Sequence, residues 1–63
     1  MSEAFEAKPG RLDAVVAAHL GVPRAEVQRA IAAGTVLVDG TPLEKSHRLA
    51  GGERIEVDLA PSA

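Results

Sequence analysis

The sequence predicts an α+β fold in which two N-terminal helices pack on a small, mainly antiparallel sheet. Two segments carry apolar residues at helical spacing: Leu12, Val15 and Val16 with His19 in line, then Val27, Ala30 and Ile31. Directly after the second segment, Gly34-Thr35-Val36-Leu37-Val38-Asp39-Gly40 closes a helix and opens a hairpin. Near the C-terminus Ile55, Val57 and Leu59 alternate with Arg54, Glu56 and Asp58, the pattern of a half-buried strand.

Each element has a local reason. Residues 3 to 7 suit a short strand with Phe5 and Ala7 on one side, and Pro9-Gly10 breaks the chain after it. Helix one is expected from about Arg11 to Leu20, with Asp13 in the first turn, where the helix dipole favours an acid. Gly21 stops it. Pro23 has a backbone angle preset for a helix start, so helix two runs from there to about Ala33. Gly34 suits the left-handed position past its end, and Asp39-Gly40 suits the positive backbone angles of a two-residue hairpin turn. Thr41-Pro42-Leu43 and a polar connection, Glu44 to Arg48, lead to a turn at Gly51-Gly52. Pro61-Ser62-Ala63 reads as a frayed end.

The 63 residues hold one domain with one core, spanning 1–63 with its ordered part at 11–59. Hydrophobic content is 46% but aromatic content only 2%, a single Phe5, so the core is built from Val, Leu, Ile and Ala. Stability is expected to be modest. Without cysteine there are neither disulfides nor thiolate metal sites, which fits a reducing cytoplasm. The apolar runs are far shorter than the roughly 18 residues needed to span a bilayer. The net charge is −2, but its distribution is uneven: Arg11, Arg24, Arg29, Lys45 and Arg48 make the middle mildly basic, while the ends are acidic.

Arg11-Leu12-Asp13, Pro23-Arg24, Gln28-Arg29, Ile31, Gly34, Val36 to Gly40, Lys45-Ser46, Leu49, Gly52-Glu53 and Ile55-Glu56-Val57 together resemble the S-four RNA-binding domain. No single match is specific; their order and spacing are. The strand ahead of Pro-Gly-Arg-Leu-Asp is most similar to the N-terminal domain of large-subunit pseudouridine synthases, which grips structured RNA while another domain does the chemistry. Three positions depart from the usual pattern. Pro23 replaces a serine before the helix-two arginine, Glu26 stands where relatives carry polar or basic residues, and Glu53 replaces aspartate.

The resemblance implies an RNA-binding module for folded RNA, ribosomal or transfer, with the ribosome as a wider partner, no membrane partner and no cofactor. By position it nominates Arg11, Arg24, Arg29 and Lys45 as RNA-facing residues. Gln28, one turn from Arg24, and His47 and Arg48 in the polar connection complete the candidate set, although a lone loop histidine such as His47 reads first as simply exposed. Weighed residue by residue, Arg24 is the strongest of these. Arg29 has a competing use as a surface partner of Glu26. Asp13 reads as a structural helix-start acid with Arg11 as its satellite. Although pseudouridine synthases carry Arg-Leu-Asp at their catalytic aspartate, here Gly10 precedes it and Ala14-Val15-Val16 comes next, so Asp13 is not a nucleophile. His19 and His47 have no paired spacing for a metal, and with Phe5 alone there is no aromatic platform for stacking bases.

No catalytic pairing is visible, so an enzyme in its own right is not expected. The alternatives are a protein-interaction module of the same fold, or the recognition domain of a pseudouridine synthase. A β-grasp carrier fits the hairpin but lacks the terminal Gly-Gly. A monomer is the favoured state.

Overall fold

The computed structural model describes residues 2–58. The elements run β1 (Ser2–Glu6), β2 (Gly10–Arg11), α1 (Leu12–Leu20), α2 (Arg24–Ala32), β3 (Val36–Val38), β4 (Thr41–Pro42), β5 (Arg48–Leu49) and β6 (Arg54–Asp58). Leu59 and the Pro61-Ser62-Ala63 tail lie outside the described residues.

Helix α2 ends where Gly34 takes φ 79°. Thr35 N–H then bonds the Ala30 carbonyl at 3.0 Å and Gly34 N–H bonds Ile31 at 3.0 Å, a Schellman closure that satisfies carbonyls the helix leaves open. The chain leaves this turn directly into β3. At the far end of β3, Asp39 (φ 51°) and Gly40 (φ 81°) both adopt positive angles, so β3 and β4 are joined by the tight turn expected of Asp-Gly. Asp39 also ties that turn to the next strand: its N–H donates to the Arg54 carbonyl at 2.8 Å, and its Oδ1 accepts the Arg54 N–H at 3.0 Å.

Four strands form one sheet in the order β1-β6-β3-β4, and every described pairing is antiparallel. A separate two-stranded piece pairs β2 with β5. Strands of two residues carry no alternation, so the sequence predicts neither β2 nor β5. Arg11 lies just ahead of helix one instead of inside it, and Arg48 belongs to a strand instead of the polar connection.

The helices cover one face of the larger sheet. Leu12, Val16, Val27, Ile31, Val36, Val38, Leu49, Ile55 and Val57 make a core without a buried aromatic ring. Burying side chains of this size is worth about 1.5–3 kcal/mol each. Phe5 faces the same side opposite Ile55 but is only partly buried. It stacks on His19 with ring centroids 3.7 Å apart and planes 10° from parallel.

Helix α1 is rotated from the expected face. Its buried residues are Leu12, Asp13, Val16 and Ala17, whereas Val15 is half-buried and His19 lies exposed. Residues 14 to 18 are all Ala or Val, so apolar spacing does not select a face there. The packing of α1 against α2 does, and it carries Asp13 inward.

Candidate nucleic-acid interface

Asp13 is fully buried, and the surrounding side chains are organised around its carboxylate. Its Oδ1 accepts the Ala14 N–H at 2.8 Å and Arg11 Nε at 3.1 Å. Its Oδ2 accepts Gln28 Nε2 at 3.0 Å, Arg11 Nη2 at 3.2 Å and Arg24 Nη2 at 3.3 Å. A buried carboxylate is costly unless paired and hydrogen-bonded, and this one is saturated. Burial pushes its pKa up. The donors Gln28, Arg11, Ala14 N–H and Arg24 outweigh that and hold it below the ordinary aspartate value.

The cations are less enclosed than the anion they share. The Arg11 side chain is 43% exposed and that of Arg24 54%, so each has donors left for a second acceptor. The satellite role expected of Arg11 is present as a two-pronged contact. The helix-start role of Asp13 is present too, in the bond to Ala14. Sequence reasoning missed that the same carboxylate reaches across to α2 and fixes two further nominated residues.

The segment before β5 closes the other side. Leu12 N–H donates to the His47 carbonyl at 2.9 Å and Asp13 N–H to the Lys45 carbonyl at 3.2 Å. Backbone carbonyls thus satisfy the first two donors of α1, whose N-cap residue Arg11 makes no side-chain cap, while the Asp13 carboxylate takes the third. This brings Lys45, His47 and Arg48 against the helix start that holds Asp13. All three are exposed. A groove of about 610 Å³ runs alongside, lined by Gln28, Ile31, Leu43, Glu44, Lys45 and Ser46 among others.

Arg29 stands apart. It is exposed on α2 one residue past Gln28, turned roughly 100° around the helix from it. Among the described residues it forms no ion pair with Glu26. Of the acids around the cluster, Glu53 is occupied and Glu44 lines the groove. The Glu53 carboxylate accepts the Ala50 and Gly51 N–H groups at 2.9 and 2.8 Å. Backbone donors, Ala50 foremost, hold its pKa below the ordinary glutamate value, with His47 adding to the effect. Glu26 and Glu44 are exposed, and Arg54, Glu56 and Asp58 alternate onto the sheet face away from the helices.

The family model of the S4 domain matches residues 10–55, from the start of β2 into β6. The chain belongs to the S4 domain family. S4 domains bind RNA, and the matched span of this S4 domain contains every nominated basic residue, Asp13 and the hairpin. Comparison with curated proteins and with solved structures gives no match. Among the described residues no helix is long and apolar enough to cross a membrane, and no cluster of His, Asp and Glu could hold a metal ion.

Proposed function

We propose that this S4 domain binds the backbone of folded RNA, ribosomal or transfer, through the surface around the start of α1. One observation carries the reading: Arg11, Arg24 and Gln28, from separate parts of the chain, are held on one buried carboxylate beside the Lys45–Arg48 segment. Two arginines hold the single buried acid, and Lys45 and Arg48 stand exposed on the segment beside it, so the cations face solvent. Phosphate contacts of this kind position a backbone without reading bases, and folded RNA is recognised largely by shape. Among the nominated residues, Arg29 is peripheral to this surface.

The strand ahead of Pro9-Gly10 supports a narrower form of the reading, in which the domain is the RNA-gripping part of a cytoplasmic pseudouridine synthase. A titration against a structured RNA at several salt concentrations tests the broader one. With about three or four phosphates engaged, the isolated domain binds weakly and its affinity falls moderately as salt rises. Salt-insensitive binding, or none at low salt, refutes it and leaves a protein-interaction module of the same fold.

A further inference from the structure

The register of the small sheet sets two arginines directly against each other. Arg11 in β2 and Arg48 in β5 are Cα partners. Next to them Leu12 N–H donates to the His47 carbonyl at 2.9 Å, which marks that neighbouring site as the hydrogen-bonded one. Sites alternate along an antiparallel pair, so Arg11 and Arg48 occupy the closer, non-hydrogen-bonded kind. Their Cβ atoms there stand about 4.5–5.5 Å apart on the same face. Like charges so placed repel and weaken the pair.

The surroundings relieve only one of the two. Asp13 takes two donors of Arg11 and is itself buried. Among the described residues no carboxylate pairs with Arg48. Of the acids flanking β5, Glu53 spends its oxygens on Ala50 and Gly51, and Glu44, four residues before Arg48, forms no ion pair with it among the described residues. Each guanidinium therefore retains donors, and the two spring from one face of a two-residue ladder. An oxyanion between them would convert the repulsion into two charge-assisted contacts.

We propose that Arg11 and Arg48 form a clamp for one phosphodiester group of the RNA backbone, a site that costs the free domain stability and is relieved by its ligand. The proposal rests on the RNA-binding reading above and adds where one phosphate sits. The tetrahedral oxyanion, not a base, is the recognised group. Arg48 is thus a binding residue whose removal does not weaken the fold.

The test uses the whole 63-residue chain and a structured RNA hairpin, comparing wild type with Arg48→Ala, Arg48→Lys and Arg54→Ala. Arg48→Ala is expected to bind about tenfold more weakly, and its plot of log Kd against log salt should flatten by about one. Its melting temperature in chloride should equal or exceed that of wild type. Arg48→Lys, with a charge but no fork, should fall between the two. Arg54→Ala, on the far face of the sheet, should keep the wild-type slope. Wild-type affinity and slope in Arg48→Ala overturn the clamp and leave RNA binding standing. A melting temperature well below wild type also overturns it, by making Arg48 a structural residue. Failure of wild type itself to bind at low salt removes the RNA reading and the clamp together.

Discussion

Gln28 Nε2 donates to Asp13 Oδ2 at 3.0 Å, joining the middle of α2 to the first turn of α1 across 15 residues of chain. The bond fixes where one helix lies along the other. Gln28→Ala should cost about 1 kcal/mol, because the carboxylate keeps its other donors. Asp13→Ala should cost more, about 2–3 kcal/mol, since it strips the Ala14 cap and leaves Gln28 without its partner. Urea midpoints check both. Equal midpoints for the two variants would show that the carboxylate does not organise the cluster.

Acid should weaken the domain through the same group. Asp13 and Glu53 both have folded-state pKa values below their ordinary ones. The unfolded chain then binds more protons than the folded one on the acid side, so stability rises with pH there. The contribution is fully present above the ordinary carboxylate range, near pH 4, and is lost as pH falls through the folded values. Asp13→Asn should flatten the acid limb of a urea-midpoint profile. An unchanged limb would assign acid sensitivity to other carboxylates.

Arg24 and Arg29 share a helix but differ in what they touch. Arg24→Ala should weaken RNA binding several-fold while changing stability by no more than about 1 kcal/mol, because its side chain is more than half exposed. Arg29→Ala should have a smaller effect on affinity, being turned away from the cluster. Paired titrations against one RNA, with thermal melts of each variant, decide this. A larger loss from Arg29→Ala would move the RNA surface around α2.

Gly34→Ala offers a change to the fold without a change to the site. A Cβ there meets no atom within 4 Å, so the whole effect comes from forcing an L-residue to φ 79°. About 1 kcal/mol is expected, or a drop of about 4–8 °C in Tm for a domain of this size. RNA affinity measured well below the melt should stay at the wild-type value. A larger drop would mean that the α2–β3 junction carries tertiary strain.

Local chemistry by itself determined the helix ends, the hairpin and the alternation of β6. A glycine past a helix, Asp-Gly between apolar runs and a period of two each act within a few residues, and all appear where expected. The family resemblance was legible in the order of those same features. The inward face of α1 was not, because Ala and Val fill residues 14 to 18 and almost any rotation buries apolar surface. The β2–β5 pair was hidden for a related reason: two residues make no pattern. Only tertiary structure decided that Asp13 turns inward and meets partners 11 and 15 residues away, and that Arg48 stands against Arg11. A buried charge takes whatever donors the packed chain brings within reach, and sequence spacing does not record that distance.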